Sequence, residues 1–120
     1  MKKPESLAHR KIKIVPKPWG REIWFALNPR YCGKIISIRK GHRLSLAYHK
    51  IKHETIYVLQ GRLSLMAGKR RLLLGPGKVF TITPRMIHRF AAPQGNVTLV
   101  EVSTPEVWDV VRLTDDYGRA

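Results

Sequence analysis

Acidic residues are scarce in this chain: 8 Asp and Glu stand against 23 Lys and Arg, for a formal net charge of +15 over 120 residues. Cysteine occurs once, at Cys32, which excludes an internal disulfide and fits a reducing cytoplasm. No apolar run approaches the ~20 residues that span a bilayer, so neither a transmembrane helix nor a membrane partner is expected. The opening Met1-Lys-Lys-Pro-Glu-Ser6 carries charge with no apolar stretch behind it, which argues against a secretory signal. Zinc-finger spacing, basic heptads and an aromatic RNP1-type run are all missing, and the cations are scattered through the chain. They read as a solvated surface that draws in a small anion, with no specific nucleic-acid partner.

A sustained helical period is missing as well. In its place, short alternating or β-branched runs recur between turn residues, the pattern of an all-β sandwich or barrel. Strands are expected near 22–26, 34–40, 44–49, 54–59, 62–66, 69–74, 79–83, 88–92 and 97–103. Ala67-Gly68-Lys69 reads as a tight hairpin and Gly75-Pro76-Gly77 as a second turn. The stretch 106–113 fits either a strand or a short helix. Residues 1–13 read as a basic arm and 14–120 as one domain.

Chemistry concentrates between Gly41 and Gly61. Alternation puts Arg43, Ser45, Ala47 and His49 on one face, and Glu54, Ile56, Val58 and Gln60 on one face of the next run. If Lys50 to His53 form a turn, the two runs make a hairpin with His49 opposite Glu54, their Cβ atoms ~4.5–5.5 Å apart. An imidazole and a carboxylate so placed can grip one metal ion. A second stretch, Gly75 to Phe90, leads from the Gly-Pro-Gly turn through Pro84 to His88.

Together the two stretches resemble the paired motifs of the cupin superfamily. Gly41, positions 47 and 49, Glu54 and Gly61 fall on the first motif; Pro76-Gly77, Pro84 and His88 fall on the second. The resemblance implies a small antiparallel β-barrel or jelly roll, a double-stranded β-helix. A narrower similarity, carried by Lys17-Pro-Trp-Gly20, Arg43-Leu-Ser-Leu46, His88-Arg89 and Asp116-Tyr-Gly-Arg119, is to type II mannose-6-phosphate isomerases. There the domain follows a mannose-1-phosphate guanylyltransferase. The absence of that partner from this sequence makes a free-standing isomerase-like cupin the expectation.

The resemblance implies metal ligands at residue 47, His49, Glu54 and His88. Ala47 stands where those isomerases carry glutamine, and a methyl group cannot coordinate. Three ligands remain, the count of a catalytic zinc site with open positions, and a two-histidine, one-carboxylate set that also suits iron. The implied cofactor is a divalent ion, zinc first, with iron, manganese or nickel as alternatives. The implied reaction interconverts an aldose phosphate and a ketose phosphate, and needs an electrophile, a base and cations for the phosphate. Lys52 resembles a family lysine near the ligand glutamate; Arg43, read as inward-facing, and Arg119, read as a lid cation, would meet the phosphate. No base stands out.

The plainer readings are a solvated turn lysine at Lys52, an ion-paired Arg43, and surface roles for His9 and His42; His53 reads as facing away from Glu54, its alternative being to replace the ligand lost at 47. Trp19, Trp24, Tyr57 and Phe90 read as core or interface aromatics, of which inward members could wall a sugar. Asp115 and Asp116 read as partners of Arg119. A homodimer is expected, with Trp108, Val110 and Val111 as its apolar strip. The competing functions are a non-catalytic module that binds or senses a phosphorylated sugar and an iron-dependent oxygenase.

Overall fold

The computed structural model describes residues 12–120, and among them there are eleven strands and no helix. The strands are β1 (Lys13–Lys17), β2 (Gly20–Leu27), β3 (Cys32–Ile38), β4 (Leu46–Tyr48), β5 (Glu54–Gln60) and β6 (Leu63–Ala67). They continue with β7 (Arg70–Leu74), β8 (Val79–Ile82), β9 (His88–Ala91), β10 (Val97–Ser103) and β11 (Val111–Thr114). Two antiparallel sheets face each other, one ordered β1-β2-β3-β10-β5-β8 and the other β11-β4-β9-β6-β7. From β3 onward the chain mostly crosses from one sheet to the other, which is the winding of a double-stranded β-helix.

Period-two alternation builds the core. On β5, Glu54, Ile56 and Val58 are buried while Tyr57 and Leu59 are exposed. Leu63, Leu65 and Ala67 repeat the pattern on β6, as do Val97, Leu99 and Glu101 on β10. These side chains meet Trp19, Ile36, Ile38, Ile82 and Phe90 between the sheets. Each fully buried aliphatic side chain there contributes ~1.5–3 kcal/mol relative to exposure.

Several expectations need correction. His49 and Glu54 do not face each other across a hairpin, because β4 pairs with β9 and β11 whereas β5 pairs with β10 and β8. Residues 49–53 are a crossing between sheets, so the two side chains meet across the barrel interior. The basic arm lies outside the described residues up to 11, and Lys13 already opens β1. The undecided 106–113 stretch contains a turn at Val107-Trp108 and then β11, whose register with β4 fixes it as a strand.

Gly61 closes β5 with φ at 80°, and a Cβ there would stand 2.2 Å from the Asn96 backbone oxygen. Gly61→Ala therefore meets both an unfavourable dihedral and a backbone collision. It is expected to destabilise the fold by more than ~1 kcal/mol, read as a lower denaturant midpoint at unchanged slope.

Candidate metal centre

The site is assembled from three places in the chain. His49 follows β4, Glu54 opens β5 and His88 opens β9; all three are buried. One ligand-type atom from each lies within 4.8 Å of the others. Glu54 Oε1 is 3.1 Å from His49 Nε2 and 3.3 Å from His88 Nε2. The two imidazole centroids are 5.0 Å apart.

Backbone carbonyls orient both rings. His49 Nδ1 donates to the Asp109 carbonyl at 2.6 Å, and His88 Nδ1 donates to the Met86 carbonyl at 2.9 Å. A carbonyl only accepts, so each Nδ1 carries a proton and each ring turns its Nε2 inward. The two Nε2 atoms and a carboxylate oxygen then converge on one point, where a divalent ion can replace the protons that otherwise link each Nε2 to Glu54. Such a set calls for a cation, which is the observation that fits these residues to a divalent ion.

Asp109 holds the crossing in place. Its carboxylate accepts the amides of Lys50 at 3.0 Å, Ile51 at 2.7 Å and Lys52 at 2.9 Å. Burial opposes its charge, but those three amides outweigh burial and hold the carboxyl below its ordinary value. The Arg85 amide, in the turn before His88, donates to the His49 carbonyl at 2.6 Å. Arg85 has φ of 69°, uncommon for a residue with a side chain, so the turn that delivers His88 is tied to the chain that delivers His49.

Lys52 is buried, 3.2 Å from Glu101 Oε2 and 3.5 Å from Glu54 Oε2. Burial alone would lower its ammonium, but the charges of Glu101 and Glu54 outweigh burial and raise it above the ordinary lysine value. Burial would likewise raise the Glu54 carboxyl; hydrogen bonds from His49, His88 and Glu101 with the Lys52 charge hold it well below the usual range. Glu101 moves the other way, pushed up to about 8 by burial and by the Glu54 charge beside it.

These groups open onto a cavity of about 140 Å³. Its wall carries five cations, Lys17, Lys34, Lys52, Arg112 and Arg119, against three carboxylates, Glu22, Glu54 and Glu101. Trp19, Trp24 and Phe90 supply apolar wall. Glu22 is tied to Lys34 at 3.4 Å and accepts the Trp24 indole N–H at 2.8 Å.

The expected site residues divide cleanly. His49, Glu54, His88 and Lys52 come together, and Arg119 reaches the same cavity while paired with Asp115 at 2.7 Å. Arg43 does not face inward: it is half exposed and grips Asp116 through two bonds of 2.7 and 3.0 Å. The strand phase slips before β4, where Leu44 and Ser45 both line the cavity. Lys52 is no solvated turn residue, while His53 is exposed. His42 is half-buried and bonded to the Tyr117 hydroxyl at 2.7 Å; His9 lies outside the described residues.

Glu101, Asp109, Arg112 and the Glu22–Lys34 pair were missed. Glu101 was legible, since it shares the alternation of Val97 and Leu99 and so had to point inward. Asp109 gave no such signal, because it lies in an irregular turn.

The fold and the buried His-Glu-His cluster define a cupin-type barrel with a group that could hold a divalent metal. Residues 34–103 match the family model described as Cupin domain, and the chain belongs to that family. It is 30% identical over 119 residues to the xanthan biosynthesis protein XanB of Xanthomonas campestris pv. campestris, covering 96% of this chain and 25% of XanB. It is 31% identical over 110 residues to the alginate biosynthesis protein AlgA of Pseudomonas aeruginosa, covering 88% of this chain and 23% of AlgA. It is 32% identical over 116 residues to a mannose-1-phosphate guanylyltransferase of Escherichia coli, covering 92% and 24%. The chain thus spans about a quarter of these relatives' length. Among solved structures, KdgF from Halomonas sp. superposes with a TM-score of 0.71 at 17% identity, covering 82% of this chain and 89% of KdgF. A cupin-2 domain from Rhodospirillum rubrum gives 0.76 at 14% identity, covering 95% and 79%. At such identities these structures speak for the fold alone.

Two outcomes are expected. His49→Ala and Glu54→Ala should each abolish stoichiometric uptake of zinc, iron, manganese or nickel, measured by metal analysis after dialysis; equal uptake by parent and variants would remove the metal centre. Asp109 supplies the pH test. Its folded pKa lies below the unfolded ~3.9, so its contribution is present above that value and is lost as pH falls through the folded pKa. Asp109→Ala should cost at least ~2 kcal/mol at neutral pH and flatten the fall in stability below about pH 4, read from denaturation midpoints against pH.

Proposed function

We propose that this chain is a metal-dependent sugar-phosphate isomerase acting on a mannose-6-phosphate-like substrate in the cytoplasm. The observation that carries the reading is the His49–Glu54–His88 cluster opening onto a cavity with more cations than carboxylates. The similarity to proteins named for polysaccharide biosynthesis, and to one named for a mannose phosphate, supports the same substrate class.

His49, Glu54 and His88 would hold the ion, with zinc the first choice and iron, manganese or nickel the alternatives. A divalent ion bound there supplies a Lewis acid for a substrate oxygen. The remaining work belongs to the chain. Lys52, fixed between Glu101 and Glu54, offers an N–H to a sugar oxygen beside the ligands. Arg119, with Lys17 and Arg112 on the same wall, meets the phosphate, and the guanidinium forks suit its oxygens. Arg43, committed to Asp116 outside the cavity, has no part. Glu22 and Glu101 are the wall carboxylates left for moving the proton next to the carbonyl. Trp19, Trp24 and Phe90 give the sugar ring an apolar surface and exclude water.

Ala47 favours one competing reading, a binding or sensing module for the same phosphorylated sugar, since it removes a ligand the resembling isomerases use. Activity separates the two. Metal-loaded protein is expected to exchange mannose 6-phosphate with fructose 6-phosphate and to take up solvent deuterium. Lys52→Met should lower kcat/KM by about 10²-fold, Arg119→Ala should mainly raise KM, and Arg43→Ala should leave both near parent values. Saturable binding of the sugar phosphates with no interconversion at full metal occupancy would establish the module instead. Consumption of dioxygen without deuterium uptake would establish an oxygenase.

A further inference from the structure

We propose that Arg112 anchors an oxyanion beside Ala47, and that this anion and the metal ion tighten each other's binding. This role rests on the sugar-phosphate reading only for the identity of the anion, a phosphate. Val110, just before β11, and Arg112 within it both line the cavity, as residues two apart on one strand face do. Val110 is therefore no part of the outer strip expected with Trp108, which is 72% exposed. The registers set Arg112 beside Ala47 and Ala47 beside His88. Neighbouring Cβ atoms on such a row are about 4.5–5.5 Å apart, so a single methyl group separates the arginine from a ligand-type histidine.

The guanidinium lacks an acceptor that its neighbours have. Arg43 turns Nε and Nη2 onto Asp116 at 2.7 and 3.0 Å, and Arg119 turns the same edge onto Asp115 at 3.1 and 2.7 Å. Arg112 instead donates through Nη1 to the Ala120 backbone oxygen at 2.7 Å. Its Nε is buried and meets no acceptor among the described residues; Trp19 Nε1 shares that condition, and Trp19 lines the same cavity. Buried donors left unpaired are costly, so two of them on one wall call for an acceptor-rich ligand. Charge makes that ligand an anion. Lys34 is paired with Glu22, Lys52 with Glu54 and Glu101, and Arg119 with Asp115. Arg112 and Lys17 are the cavity cations left without a carboxylate partner among the described residues. Burial lowers the Lys17 ammonium, Glu22 only partly restores it, and the charges of Arg119, Lys34 and Arg112 lower it further. A phosphate accepts two parallel bonds from one guanidinium edge and relieves that crowding of charge. One of its oxygens, held a residue away from His88, stands in for the side chain missing at position 47. The coupling is reciprocal, since whatever factor the anion adds to the ion's affinity the ion returns.

Calorimetric binding of zinc and of inorganic phosphate to the full chain, each with and without the other, tests the assignment; a chelator keeps free zinc too low to precipitate. In the parent, phosphate is expected to tighten zinc by about tenfold or more, and zinc to tighten phosphate by the same factor. Arg112→Met keeps the apolar stem and should weaken phosphate by about tenfold or more and abolish the coupling, while circular dichroism and phosphate-free zinc uptake hold. If that variant fails to fold, Arg112→Lys retains a charge without the fork and should lose most of the coupling. Ala47→Gln should bind zinc more tightly without phosphate and gain less when phosphate is added. Zinc affinity that ignores phosphate in the parent overturns the proposal. So does coupling that survives both Arg112 variants, or a parent that takes up no zinc under either condition. Coupling in a chain that never exchanges mannose 6-phosphate with fructose 6-phosphate supports the Arg112 subsite and removes the isomerase.

Discussion

A single carboxylate, that of Asp109, organises the interior of this barrel. It takes up three successive amides of the 50–52 crossing, and the carbonyl of the same residue accepts the His49 ring proton. A chain passing between two sheets cannot use ladder hydrogen bonds, and its amides are partly buried, so without such an acceptor they would stand unpaired. Asp109 resolves that problem and sets two side chains in one stroke: His49 with its Nε2 inward, and Lys52 folded under toward β10. The placing of His49 beside Glu54 and the burial of the lysine are both consequences of how the crossing is satisfied.

The polar interior makes sense only as a set. Glu54, Lys52 and Glu101 are each nearly inaccessible, and an isolated charge at any of those depths would be strongly unfavourable. Glu54 has an imidazole on either side and an ammonium behind; Lys52 lies between two carboxylates; Glu101, last in line, keeps its proton up to about 8. Apolar residues of similar volume would fill these positions at less risk to stability, as they do at Ile56, Leu65 and Leu99. A core that departs from its own apolar rule on adjacent strands, beside a cavity of about 140 Å³, is organised for chemistry or recognition.

Alternation made the fold readable. Nine of the strands were legible because each buries one face, and that periodicity also marked His49, Glu54 and His88 as inward whatever strands they pair with. For that reason the mistaken hairpin left the convergence of the three side chains intact. Pairing itself was not legible: a short polar segment such as 50–53 looks alike whether it turns a hairpin or crosses between sheets. Arg43 was misplaced by the same reasoning carried too far, since regular phase ends at Leu44–Ser45 and residue 43 makes only an isolated bridge to Ala91. β1 escaped notice because its proline hides the period, and mixed polarity around β11 left strand and short helix equally open there. Asp109 could not be read at all; its role depends on amides 57 to 59 residues earlier in the chain.

Position 47 bears most directly on what the centre can do. The registers set Arg112, Ala47, His88 and Ala67 side by side across the five-stranded sheet. His88 is therefore flanked by two methyl groups, and the next side chain beyond Ala47 is a guanidinium on the cavity wall. Substituting a coordinating side chain by alanine lowers the ligand count, but it also clears space between His88 and Arg112. In that space an anionic oxygen can approach the three ligands and a fixed positive charge together. The proposed isomerase and the competing binding module would share this architecture, differing in whether a wall carboxylate moves a proton.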